Sequence, residues 1–238
     1  MPDGGPAWRV WAGLGCLLLV GCGAELQTAT RTYDRAVDLG ARALVLNTPG
    51  GTVDLVGGPT TQVSLAMRLE ARGRNQRDAQ RVLAATTLDE AQDSALYQFV
   101  VTAPRDELIQ AEVSGTIPRS APLFMQVQEG AVTLHEVAGS VTLEQARTVA
   151  LSVAAEGPSS TIQMAVTEVA TVHLDPPAPG ETPWRLERCD AEPGTLTALL
   201  VRAGRQLEVY LEGPPQSRLG VQGAPGPPCG AVIASAGS

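Results

Sequence analysis

The chain has no lysine, only two histidines and few aromatic residues, and each scarcity argues against a class of function. All 17 basic residues among the 238 are arginines, and the formal net charge is −8. No basic cluster interrupts this acidic composition, so we predict neither a nucleic-acid partner nor a membrane surface held by charge alone. Aromatic residues make up 3% of the chain, which argues against a core built from large rings.

Catalytic and metal-binding motifs are missing as well. Neither His135 nor His173 stands at ligand spacing from a second histidine or a cysteine. The run HEVAG, which starts at His135, lacks the second histidine of a zinc-binding HExxH motif. No serine stands in a GxSxG elbow, and no glycine-rich phosphate loop is present. The sequence therefore predicts no metal, no cofactor and no enzymatic activity.

The longest apolar run, from Val10 to Val20, is shorter than the roughly 20 residues that span a bilayer. Residues 1–21 instead read as a secretory signal. Its end, LVGC at 19–22, resembles the lipobox of bacterial lipoproteins. The resemblance implies cleavage before Cys22, diacylglycerol on its sulfur and an acyl group on its new amino terminus, an anchor of more than one acyl chain. By the same resemblance, the glycine at position 23 implies sorting to the outer membrane.

Two alternatives to this anchor stay open. An ordinary signal peptide would be cut elsewhere, or Cys16 would take the lipid in a poorer lipobox. If Cys16 leaves with the signal and Cys22 is lipidated, Cys189 and Cys229 remain. An exported chain favours a disulfide between them, worth about 4 kcal/mol in the loop-entropy model. The alternative is two unpaired thiols.

Composition divides the remaining chain into three parts. Residues 22–35 are predicted to be a tether, 36–175 a β domain, and 176–238 a proline-rich connector, a hairpin and an irregular Gly/Pro-rich tail. Within the β domain we expect a hairpin around residues 49–51, a strand from residue 62, a helix over about 76–85 capped by Asn75, and a hairpin turning near residues 93–94. The last hairpin is expected to turn at residues 203–204.

Short apolar–polar–apolar triplets recur through the middle of the chain, at intervals of 9, 10, 11 and 10 residues. They are Val132-Thr133-Leu134, Val141-Thr142-Leu143, Leu151-Ser152-Val153, Ile162-Gln163-Met164 and Val172-His173-Leu174. Such spacing predicts an all-β fold of short strands joined by tight corners, with the apolar pairs inside. A β-solenoid in which neighbouring triplets stack is favoured because aromatics are scarce. A two-sheet sandwich or meander is the alternative.

Residues 117–145 resemble the core of the bacterial putative-adhesin (head-GIN-like) domain of unknown function. The matching positions are Pro118, Arg119, Leu123, Gly130, Val132, Leu134, Gly139, Val141 and Leu143, and weaker agreement extends over about 36–175. The resemblance implies an exported, solenoid-like β domain and carries no catalytic residues.

The middle residue of each triplet is predicted to face solvent and to form a candidate binding face. These residues are Thr133, Thr142, Ser152, Gln163 and His173. Hydroxyl, amide and imidazole groups suit hydrogen bonding to a polymer better than acid–base chemistry. We therefore expect a lipid-anchored envelope protein with a structural or adhesive role, whose partners are the membrane and an envelope polymer or protein. A periplasmic accessory or sensor protein is the second hypothesis, and a polysaccharide-cleaving β-helix enzyme is the third.

Overall fold

The computed structural model describes residues 26–104, 108–154, 156–174, 182–192, 194–214 and 217–222. Most of these residues lie in strands, with one helix among them. The elements are β1 (Gln27–Asp38), β2 (Ala43–Thr48), β3 (Gly51–Gly58), β4 (Gln62–Gly73), α1 (Gln76–Ala85), β5 (Thr87–Gln92), β6 (Leu96–Thr102), β7 (Ile109–Pro118), β8 (Leu123–Val127), β9 (Ala131–Val137), β10 (Val141–Val153), β11 (Ser160–Leu174), β12 (Arg185–Glu192), β13 (Thr195–Arg202), β14 (Arg205–Glu212) and β15 (Arg218–Gln222). The prediction of an all-β fold is confirmed.

The strands form one curled sheet with two limbs. In the first limb, β6, β2, β8, the first half of β10, the first half of β11 and β14 pair in parallel in that order. In the second limb the parallel order is β7, β3, β9, the second half of β10, the second half of β11 and β15. Parallel pairing through the middle is the solenoid-like arrangement, and it excludes the antiparallel meander for these strands.

One coil of this stack contains two triplets rather than one. Val141 pairs with Leu123, 18 residues earlier, and with Ile162, 21 residues later. Successive triplets therefore alternate between the limbs, and each stacks on the next but one. The expectation that neighbouring triplets stack was wrong, because a spacing near ten residues marks a corner and not a complete coil.

The predicted hairpin at residues 49–51 is a corner of the same kind. The strands β2 and β3 on either side of it do not pair with each other, since β2 pairs with β6 and β8 while β3 pairs with β7 and β9. Pro-Gly-Gly marks a turn correctly, but the sequence does not show whether the two strands then meet or diverge into separate limbs.

A glycine at this corner is required by the close approach of the next coil. Gly51 has φ of +108°, and a Cβ placed on it would lie 2.0 Å from the carbonyl oxygen of Ala111 on β7. We expect Gly51→Ala to lower the free energy of unfolding by about 2–3 kcal/mol through overpacking and backbone strain. Chemical denaturation would measure the loss.

Gly58, at the other end of β3, provides the matched control. Its Cβ would meet only Thr60 Cγ2, at 3.7 Å, so Gly58→Ala should change the stability by about 1 kcal/mol or less. Equal losses for the two substitutions would contradict the close contact inferred at Gly51.

Antiparallel strands and the helix close the two ends of the stack. At one end β5 pairs with β6, β4 pairs with β7, and β1 pairs with β4, with α1 packed on β4 and β1. At the other end β13 pairs with β14 and β12 with β13. The helix spans the predicted residues, and the Asn75 side chain accepts from the Asp78 backbone N–H at 2.9 Å. The hairpins at residues 93–94 and 203–204 are also as predicted.

Two segments predicted to be irregular are strands. Residues 27–35 of the expected tether belong to β1 (Gln27–Asp38), whose side chains are mostly exposed, so that its sequence carries no apolar alternation. Residues 218–222 of the expected tail form β15, which extends the second limb by pairing with β11. The stack therefore continues past residue 175.

The two limbs share one core of aliphatic side chains. Both apolar residues of every predicted triplet are buried, as the period-2 pattern requires. In the second limb Leu55, Leu134, Leu151 and Val172 stand side by side across four strands. Such ladders fill a narrow interior without rings, which accounts for the scarcity of aromatics.

A buried tyrosine links three strands at the end where β5 lies. The Tyr97 hydroxyl on β6 donates to the Glu90 carboxylate on β5, and Arg35 on β1 donates to the same carboxylate at 2.9 Å. The Tyr97 ring also packs against Phe99, with the ring planes tilted by 44° and the centroids 5.1 Å apart. Burial, and then Glu90, raises the pKa of Tyr97 to about 12 from 10.0.

This shift predicts a loss of stability in alkali. The pKa of Tyr97 is higher in the folded state than in the unfolded state. The contribution of Tyr97 to the free energy of unfolding is therefore complete below pH about 10 and is lost as the pH rises towards 12. We expect the unfolding midpoint of the wild type to fall more steeply in this interval than that of Tyr97→Phe. Thermal unfolding monitored by circular dichroism would show it, with Tyr33→Phe as the control; parallel curves for wild type and Tyr97→Phe would refute it.

Candidate functional site

The five residues predicted to form one binding face point outward but lie on two limbs. Thr142 and Gln163 are neighbours in the first limb. Ser152 and His173 are neighbours in the second limb, where Thr133 also lies, beside Ala150. The structure therefore brings together two pairs rather than a single row of five.

The first limb carries a continuous row of outward side chains that contains one of these pairs. Each member lies directly opposite the next on a neighbouring strand, so the row crosses seven strands. We call it the cross-strand row; its members are Gln98, Val45, Phe124, Thr142, Gln163, Tyr210 and Thr197.

Two exposed aromatic rings flank the predicted pair in this row. Phe124 is 44% exposed and Tyr210 is 37% exposed, so both rings are accessible to a partner on the outer face of the sheet. Sequence reasoning missed both because each sits between two buried apolar residues, in Leu-Phe-Met and Val-Tyr-Leu. The period-2 alternation holds, and would have placed both rings outside.

Two adjoining grooves follow the row. The larger, of about 580 Å³, is lined by side chains that include Thr142, Gln163 and Tyr210. The smaller, of about 160 Å³, contains Phe124 and shares Thr142 and Glu144 with the first. The row therefore runs along two open, adjoining concavities that lie across the strands.

A ladder of amides fixes one wall of these grooves. Asn47 Nδ2 donates to Gln126 Oε1 at 3.0 Å, and Gln126 Nε2 donates to Gln145 Oε1 at 3.1 Å. Gln145 occupies the corner inside β10 with φ of +61°, and its carbonyl accepts from the Glu129 N–H at 2.9 Å. The ladder holds neutral polar groups in place over three coils.

The ionisable groups that line the grooves are acidic. Glu144 and Glu212 are exposed and stand two residues beyond Thr142 and Tyr210 on the same strands, so they form a second outward row. The Tyr210 hydroxyl donates to Glu208 at 3.0 Å, and this bond raises the pKa of Tyr210. No arginine lines either groove in the described part of the chain.

The second limb gives no comparable arrangement around its histidines. His135 Nε2 lies 3.6 Å from Asp54 Oδ1, with both side chains exposed, and His173 stands opposite Ser152. Among residues 26–104, 108–154, 156–174, 182–192, 194–214 and 217–222, no three His, Cys, Asp or Glu side chains could together hold a metal ion.

The cysteines predicted to carry the anchor and one half of the disulfide, Cys22 and Cys229, lie outside the described residues. Cys189 lies exposed on β12, opposite Ala198, and is not a free thiol. Its pairing with Cys229 stays a prediction.

Peptide mapping under non-reducing conditions would test this pairing. We expect one linked peptide that contains both cysteines and separates on reduction, because the exported location predicted from the sequence is oxidising. Recovery of Cys189 linked to any other cysteine would contradict the assignment.

No family model and no curated protein matches the chain. Among solved structures, a putative cell adhesion protein from Clostridium sporogenes is similar at 10% identity, with a TM-score of 0.50 over 81% of this chain and 99% of the other. A putative adhesin from Bacteroides fragilis aligns at 9% identity, with a TM-score of 0.21 over 80% of this chain and 97% of the other.

The Clostridium likeness shows an adhesin-like fold. The family resemblance seen in residues 117–145 remains a prediction. Within the described ranges, the structure contains no helix of the length and apolar character that a membrane crossing needs.

Proposed function

We propose that the chain is an exported adhesive protein of the cell envelope, held by a lipid on Cys22, that binds its partner through the cross-strand row without catalysis. The observation that carries the proposal is the open groove along the first limb, where hydroxyls, amides and two exposed rings lie on a rigid parallel sheet. Sites of this composition bind by shape and hydrogen bonding. The likeness in fold to a protein described as a cell adhesion protein supports the same role.

The character of the groove carboxylates favours binding over glycan cleavage. A glycosidase holds two carboxyl groups on either side of the scissile bond, one of them in a protected environment. Glu144 and Glu212 stand exposed on the open face of the sheet. They suit electrostatic selection of a partner.

The start of β1 sets the distance between the domain and the proposed anchor. Gln27 follows Cys22 by five residues, a segment that reaches at most about 18 Å when extended. The end of the stack that carries β1 is then held near the bilayer, and β12 at the other end points away from it. The cross-strand row would face the space beside the membrane.

Two substitutions on one strand test the binding surface. Gln163→Arg places a bulky cation in the groove. Thr171→Arg makes a similar change on the half of β11 that lies in the second limb. With the full-length protein in detergent, we expect Gln163→Arg to reduce capture of envelope material by about tenfold and Thr171→Arg to leave it unchanged. Equal capture by both variants, or none by the wild type, would refute an adhesive role for the row.

The anchor is tested separately. Mass spectrometry of the protein from its native envelope should give an amino-terminal peptide that begins at Cys22 and carries acyl chains. Cys22→Ala should remain unprocessed or leave the membrane fraction. An unmodified thiol at position 22 of the mature protein would contradict the anchor and leave the binding surface unaffected.

A further inference from the structure

The cross-strand row has dimensions that match a linear sugar polymer. Phe124 and Tyr210 lie three strands apart, with Thr142 and Gln163 between them. Strand spacing places the two rings about 14 Å apart. An extended polysaccharide would present a sugar ring to each aromatic and hydroxyl groups to the hydroxyl and the amide between them.

The groove is poorly suited to an extended peptide. Peptides that bind sheets add a strand at an edge, where backbone donors and acceptors are unpaired. Here the floor is the outer face of β8, β10, β11 and β14, whose backbones are already paired on both sides. A ligand on this face can contact only side chains. That suits a polymer that is recognised through its sugar rings and hydroxyl groups.

Charge narrows the class of polymer further. Glu144 and Glu212 line the groove beside the aromatic row, and Glu208 adjoins Tyr210. Arg188, an arginine whose charge acts on Tyr210, is ion-paired with Asp190 at 2.8 Å. An acidic polymer would be repelled, whereas positively charged amino groups would be attracted.

We infer that the row binds an extended amino-sugar polysaccharide, with its rings stacked on Phe124 and Tyr210 and its amino groups directed at Glu144 and Glu212. This inference rests on the adhesive function proposed above and specifies the ligand of the same groove. The aromatic rings supply affinity for any such backbone, and the carboxylates supply the preference for free amines.

Three hexasaccharides with one β-1,4 backbone separate these contributions. They are the hexamers of glucosamine, N-acetylglucosamine and glucose, titrated into the full-length protein by calorimetry, with an oligogalacturonate as the acidic probe. We expect the glucosamine hexamer to bind most tightly and the acidic probe to bind least. Glu144→Gln with Glu212→Gln should weaken glucosamine binding by about two- to fivefold per carboxylate and leave the neutral hexamers unchanged.

Substitutions of the rings test the stacking. Phe124→Ala and Tyr210→Ala should each weaken the binding of all three hexamers by about two- to tenfold. Phe124→Trp, which keeps an aromatic ring, should bind them as the wild type does. Val169→Ala removes a similarly exposed side chain from the second limb and should have no effect. Circular dichroism would check that every variant is folded.

Equal affinity for the three hexamers, tighter binding of the acidic probe, or no binding of any hexamer would overturn the inference. If no hexamer binds but Gln163→Arg still reduces capture of envelope material, the adhesive function stands and only the ligand class is wrong. If capture is also insensitive to Gln163→Arg, both the adhesive function and the ligand class are wrong.

Discussion

Replacing Trp184 by alanine is expected to lower the free energy of unfolding by about 3–5 kcal/mol. The side chain is 1% exposed and precedes β12, in the cap at the far end of the stack. Its ring lies 5.1 Å from the guanidinium of Arg205, which donates to the carbonyls of Pro158 and Ala154 at 2.7 and 2.8 Å. The substitution would open a cavity and expose this buried cation.

Denaturant unfolding of two further variants shows whether the loss of stability comes from the Trp184 ring itself or from any change in this part of the chain. Trp184→Phe keeps an aromatic face for Arg205 and should cost less than the alanine variant. Arg185→Ala changes the next residue, which is exposed, and should have an effect below about 0.5 kcal/mol. A loss of less than 1 kcal/mol for Trp184→Ala would show that the cap does not depend on the ring.

The local pattern of the sequence predicts much of this fold. Period-2 alternation places Val132, Leu134, Val141 and Leu143 inside, and the helix begins after its Asn75 cap. Both signals are local, since they depend on residues a few positions apart. The order of the coils is not local: β6 and β7 stack before β2 and β3 although they follow them in the chain.

The candidate site was predictable only in part for the same reason. Thr142 and Gln163 were identified from alternation, and the structure shows them side by side. Tyr210 belongs to β14, beyond a proline-rich segment that the composition presents as a boundary, so nothing local connects it with Phe124. Only the pairing of β11 with β14 brings the two rings onto one face.

The separation of Thr142 from Ser152, which lie on different limbs, has another physical cause. If each triplet were a complete coil, the middle residues of successive triplets, about ten positions apart, would stack in one row. The corner inside β10, made by Gln145 in a left-handed conformation without glycine, turns the chain into the other limb. Because glycine is the usual signal for such a conformation, the sequence does not reveal this corner.

Leu134→Ala is expected to lower the free energy of unfolding by about 3–4 kcal/mol. Leu134 is fully buried at the centre of the second limb, beside Leu55 on one strand and Leu151 on the other. Loss of its methyl groups would leave a cavity that rigid parallel neighbours cannot close. Thr133→Ala, on the same strand but facing outward, should cost less than about 1 kcal/mol.

The stacking of alternate triplets makes this prediction specific. A double-mutant cycle of Leu134→Ala with Leu151→Ala should give a coupling of about 0.5–3 kcal/mol, because the side chains are direct neighbours. Leu69 lies three strands away on β4 and in a different register, more than about 14 Å from Leu134, so the cycle of Leu69→Ala with Leu134→Ala should be additive within about 0.5 kcal/mol. Additivity in the first cycle would mean that Leu134 and Leu151 do not stack, and the two-triplet coil would then be wrong.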